Sequence, residues 1–136
     1  MRFILLVFFS ILIGGCASTP VYNPMQSTLQ QEILLNAAEF KAITEGMTLD
    51  QVHQIMGTAL VIGYAEQGPD YKPLTIPNPY RTEVIKDTTY QIEYYIESIR
   101  QPDGVVSDDE LLPLVFKDGK LVGRGWPLAN SLRPKI

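Results

Sequence analysis

Residues 45–59 read EGMTLDQVHQIMGTA, and this run sets the architecture expected of the chain. Thr48 and Gln51 have capping-box spacing: the threonine oxygen accepts from the Gln51 amide, and the glutamine side chain reaches back to the Thr48 amide. Met47 ahead of the cap and Val52 inside the helix form a hydrophobic staple. Asp50 suits the positive end of the helix dipole. Leu49, Val52, Ile55 and Met56 share one face and Gly57 stops the run, so residues 48–56 are expected as a short helix with one buried side.

Upstream, residues 29–43 (LQQEILLNAAEFKAI) also have helical spacing. Ile33, Ala37 and Phe40 form a stripe with Leu34, Ala38 and Lys41 one position round it, Thr28 is placed to cap it, and the helix should stop by Gly46. The two helices then form a hairpin. Downstream, residues 59–64 (ALVIGY) read as a first strand. Residues 66–81 carry Pro69, Pro73, Pro77 and Pro79, which argues for a long extended loop. Residues 83–100 recover strand character. Tyr90, Ile92, Tyr94 and Ile96 alternate with Gln91, Glu93, Tyr95 and Glu97, the pattern of a half-buried antiparallel strand. Leu111–Lys117 and Lys120–Gly125 flank Asp118-Gly119, a strong two-residue hairpin signal. That hairpin pairs Lys117 with Lys120, Phe116 with Leu121 and Val115 with Val122. Residues 126–136, with two prolines, read as an irregular tail. The expected fold is α+β, a two-helix hairpin packed on a small three- to four-stranded antiparallel sheet.

The amino terminus reads differently. Met1-Arg2 precedes an apolar run from Phe3 to Ile13, and Gly14-Gly15-Cys16 follows. That is the layout of a secretory signal, too short to span a membrane. Ile13-Gly14-Gly15-Cys16 resembles a bacterial lipobox. The resemblance implies cleavage before Cys16, a diacylglycerol on its thiol and an acyl chain on the new amine. Cys16 is the only cysteine, so no internal disulfide competes for it. Several acyl chains anchor a protein stably without a spanning helix. For a Gram-negative lipoprotein the resemblance also implies a leaflet: Ala17-Ser18, rather than aspartate, after the cysteine favours the outer membrane, facing the periplasm. Residues 16–28 read as a lipidated tether.

Composition narrows function further. The net charge is −4, the basic residues are scattered, and nucleic-acid binding is not expected. Catalysis needs a nucleophile, a base or a metal site. Cys16 is committed to lipid. His53, the single histidine, is expected on the exposed side of its helix without a second histidine for zinc. Asp108-Asp109-Glu110 with Asp103 lacks calcium-loop spacing and reads as a solvated acidic loop. Glu93 and Glu97 lie about 13 Å apart on an extended strand, too far for a glycosidase pair. No enzyme activity, cofactor or metal is expected. What remains is binding. Tyr71 and Tyr80 bracket the proline-rich stretch and Trp126 opens the tail, so all three are candidate partner contacts. The alternative for each is a ring folded back over the core. The strand face bearing Glu93, Tyr95 and Glu97 offers a second surface for a partner strand.

The run EGMTLDQVHQIMGTA, with Phe116, Asp118, Gly119 and Leu121 later, resembles the SmpA/OmlA, or BamE-like, family of outer-membrane lipoproteins. The likeness covers about residues 43–125. It implies a two-helix, three-stranded α+β domain over residues 29–125 and, for the BamE branch, an accessory role in the machine that inserts β-barrels. The expectation is a non-catalytic lipoprotein module for envelope assembly or integrity. The alternative is an inhibitor or ligand-binding lipoprotein of the same fold acting on a periplasmic partner.

Overall fold

The computed structural model describes residues 24–85, 89–101 and 103–135. The expected signal segment, Cys16 and the expected tether up to residue 23 lie outside the described residues. Helix α1 runs Pro24–Glu39 and continues as a 3-10 turn, Phe40–Ala42. Helix α2 (Leu49–Met56) is followed by β1 (Ala59–Gln67), β2 (Asp70–Pro77), β3 (Arg81–Ile85), β4 (Tyr90–Ile96), β5 (Leu111–Lys117), β6 (Lys120–Arg124) and α3 (Trp126–Leu132). The class is α+β, with β3-β4-β5-β6 forming an antiparallel meander and β1-β2 a separate antiparallel ribbon.

Helix α2 forms as its residues require. Thr48 Oγ1 accepts from the Gln51 backbone amide at 3.2 Å, and the Gln51 side-chain Oε1 accepts from the Thr48 backbone amide at 2.9 Å. Gly57, at φ 72°, ends the helix with its amide on the His53 carbonyl. The chain entering α2 also covers an edge of the meander. The Gly46 amide donates to Leu121 O, Leu121 N to Met47 O, and Leu49 N to Gly119 O. That satisfies backbone groups which β6 would otherwise leave open.

The Asp118-Gly119 turn has both φ values positive, 50° and 77°, as a type I′ turn requires. Lys117 pairs with Lys120 and Phe116 with Leu121, in the expected register. Beyond them Val115 pairs with Gly123, not Val122, because a bulge interrupts the ladder.

Two apolar clusters lie on opposite faces of the meander. One joins Ile33 of α1, Leu60 of β1 and Ala129 of α3 to Ile92, Tyr94 and Val115. The other joins Phe40, Val52 and Met56 to Tyr95, Phe116 and Leu121. Burying a side chain of this size contributes about 1.5–3 kcal/mol.

This layering departs from several expectations. α1 sends Ile33 to one cluster while α2 sends Val52 and Met56 to the other, so the two helices are not seen as one hairpin on one face. β4 is buried on both faces, so Glu93 and Tyr95 lie under α2 and not on an open sheet. Alternation marks a strand, but it does not reveal what covers its polar-looking face. α1 begins at Pro24, ahead of the expected Leu29, and Thr28 lies within it.

The proline-rich stretch, read as a loop, holds strand β2 and leads into β3. A proline fits a strand whose nitrogen faces away from the ladder. Pro73 and Pro77 are an even number apart in a two-stranded ribbon, which places both nitrogens on the open edge. The expected irregular tail is helix α3, with Pro127 in its first turn, where the missing amide costs nothing.

Candidate functional site

The ribbon, α1 and residues 97–101 and 104–106 line a mostly apolar groove of about 640 Å³, within the range of ligand sites. α1 supplies Leu29, Ile33, Leu34 and Ala37. The ribbon side adds Ile62, Ile76 and Tyr80, and the far wall is Ile99, Val105 and Val106. Leu34 and Val105 are each 66% exposed and flank the mouth. Two side chains this apolar and this open beside one concavity make the groove the candidate site.

Two polar devices hold the walls. Buried Asn78 donates from Nδ2 to Met56 O at 2.7 Å and to Asn36 Oδ1 at 3.3 Å. Asn36, also buried, donates to Ile96 O at 3.3 Å. This chain ties α1, the end of α2 and the end of β4 together, one residue from the groove-lining Ala37. The second device is Glu110, 1% exposed. Its carboxylate accepts from the amides of Arg100 (2.5 Å), Gln101 (3.2 Å) and Ser107 (3.0 Å) and from the Ser107 hydroxyl (3.3 Å). Its backbone carbonyl accepts from Glu97 and Ser98. Burial alone would raise the Glu110 pKa, but the donors from Ser107, Arg100 and Gln101 hold it below the usual carboxylate value. The acidic stretch 108–110 is therefore not uniformly solvated. Its last carboxylate is the hub of the groove's outer wall.

The named aromatics divide. Tyr80 lines the groove and is 39% exposed. Tyr71 is 67% exposed and sits opposite Glu66 on the ribbon. Cross-strand partners share a face, so Tyr71 lies with Tyr64 and Pro73 on the side turned away from Leu60 and the core. Trp126 folds inward. Its indole nitrogen donates to Leu111 O at 2.9 Å, and its ring lies 5.4 Å from that of Tyr94. Arg133 of the same terminal segment bonds Glu83 (3.0 Å) and the Tyr94 hydroxyl (2.7 Å), locking α3 onto the meander. The Tyr94 hydroxyl also donates to Glu83 at 2.6 Å, which draws that carboxyl below its ordinary pKa.

His53 differs from expectation. Its Nε2 lies 2.9 and 3.0 Å from the two oxygens of Glu93, which is 2% exposed. Gln91 and the Tyr95 hydroxyl donate to the same carboxylate at 3.1 and 2.7 Å. Burial, then the Glu93 bond, push the Tyr95 pKa up, so the phenol stays protonated and donating. His53 lies one turn from both Leu49 and Met56, at the border of the buried stripe, which is why it reaches a carboxylate beneath the helix. Sequence spacing gave no sign of that partner, 40 residues away. Among the described residues no cluster of three metal-ligating side chains occurs, and no helix is long and apolar enough to cross a membrane.

Residues 16–129 match the model of a family described as a protein of unknown function (DUF3192). Neither the curated proteins nor the solved structures yield a match.

Proposed function

The chain belongs to the DUF3192 family, and we propose that it is a non-catalytic interaction module, anchored through a lipid on Cys16 to the periplasmic face of the outer membrane. The observation that carries this is the apolar groove between α1, the ribbon and residues 97–101 and 104–106, open at Leu34 and Val105. Its walls are tied by buried polar groups, so the concavity is pre-formed, and a pre-formed surface loses less free energy to ordering on binding. The BamE-like motif at 45–59 adds the direction: a partner in envelope assembly, with the β-barrel assembly machinery as the partner that the resemblance implies.

The outer face of the ribbon favours a second reading. Tyr64 and Tyr71 stand exposed on the outer face of the ribbon, whose second strand carries Pro73 and Pro77, as a probe inserted into a periplasmic target would, so an inhibitor or ligand-binding role is the alternative. One experiment separates the two. A photoreactive residue replaces Tyr80 or Tyr71 in the full chain expressed in its own envelope. Protein adducts at Tyr80 support the groove and adducts at Tyr71 alone support the probe. Lipid adducts only, at both positions, refute the module.

A further inference from the structure

We infer that the groove takes a basic amphipathic segment of the partner, its apolar side against Ile33 and Ile99 and its cations on an acidic rim. This rests on the interaction-module reading and names the chemistry that the module recognises.

The shape comes first. α1 lines the groove from Leu29 to Ala37, about 12 Å at helical rise, which suits two turns of a docked helix presenting anchors at i and i+3 or i+4. The charge selects the occupant. Arg100 and Glu97 are the only charged side chains lining the groove among the described residues. Arg100 already faces Asp109 at 3.3 Å. Glu97 is exposed, and no side-chain partner for it exists among the described residues. Asp103, adjoining the lining Gly104, has only the Val105 amide among the described residues, at 2.9 Å. The rim therefore carries the Glu97 carboxylate, has the Asp103 carboxylate beside it, and holds an arginine that is ion-paired to Asp109. Anionic amphiphiles are repelled there, and an uncharged acyl chain gains nothing from those carboxylates. A lysine- or arginine-bearing apolar helix satisfies floor and rim together.

The test places a photoreactive residue at Leu34 of the full chain, held in nanodiscs of zwitterionic lipid. The probe is a fluorescent leucine/lysine amphipathic peptide of about four helical turns. Saturable adducts should form at Leu34 and not at Tyr71. Glu97→Lys should lower them about tenfold. Glu66→Lys makes the same change in net charge at the far end of the ribbon and should leave them unchanged. Equal losses in the two variants would reduce the effect to net charge and overturn the inference. So would equal labelling by a leucine/glutamate peptide, or displacement of the peptide by a lysophospholipid. The same Leu34 position, used in the cell envelope, separates this inference from the broader reading. Protein capture that survives Glu97→Lys sinks the basic segment and keeps the module. An absence of captured protein, with normal peptide labelling, sinks the module.

Discussion

Replacing Glu110 by glutamine removes one charge and leaves the size of the side chain unchanged, so its effect isolates the hub of the groove wall. In the native protein one carboxylate oxygen accepts from the amides of Arg100 and Gln101, and the other from the Ser107 amide and hydroxyl. A glutamine keeps a single acceptor oxygen. If that oxygen stays with Arg100 and Gln101, both bonds fall from charge-assisted to neutral strength, a loss of about 1 kcal/mol each. The new amino group then faces the Ser107 amide, donor against donor, and leaves it unpaired at about 1–3 kcal/mol. Loop relaxation recovers part of this, so the expected loss is about 3 kcal/mol, roughly a hundredfold in the unfolding equilibrium. Urea denaturation of the full chain at pH 7 measures it, and hydrogen exchange at the Arg100, Gln101 and Ser107 amides places it. The sign with pH follows from the lowered Glu110 pKa. Its contribution is complete above the ordinary glutamate pKa, about 4.3, and is lost as pH falls through the lower folded value. The gap between native protein and variant should therefore be widest at neutral pH and narrow below about pH 4. A gap under about 1 kcal/mol at pH 7, or one that stays constant into acid, would refute this account of the wall.

Further substitutions test the remaining supports. Asn78→Leu removes the donor to Met56 O and Asn36 and should cost about 2–4 kcal/mol by urea unfolding; no loss would show that the asparagine chain is incidental. His53→Leu leaves Glu93 with Gln91 and Tyr95 alone and should cost about 1–3 kcal/mol at neutral pH, whereas a stabilised variant would show that the bond is not needed under α2. Gly119→Val puts a β-branched residue at φ 77° and should lower stability by about 1–3 kcal/mol; Gly119→Asn, which tolerates that region, should cost less, and equal losses would argue against the turn geometry. Phe116→Ala empties a fully buried site between α2 and the meander and should cost about 3–5 kcal/mol, read as a lower thermal midpoint.

Short-range chemistry was legible in the chain itself. The capping box at Thr48–Gln51, the Asp118-Gly119 turn and the strands on either side of it depend on residues a few positions apart, so the sequence determined them. It also determined the α+β class, because helical spacing gives way to alternation along the chain. Tertiary structure decided everything that depends on what lies across the fold. Tyr95 and Glu93 look like an open strand face until α2 is laid on it. Pro73 and Pro77 look like a loop until β1 pairs with β2 and leaves their nitrogens on a free edge. His53 meets Glu93, Glu110 gathers the amides of its own loop, and Tyr80 and Leu34, 46 positions apart in sequence, come to share a groove. Local patterns state what each residue prefers, whereas burial and partnership are properties of the packed layers and exist only once the chain has folded.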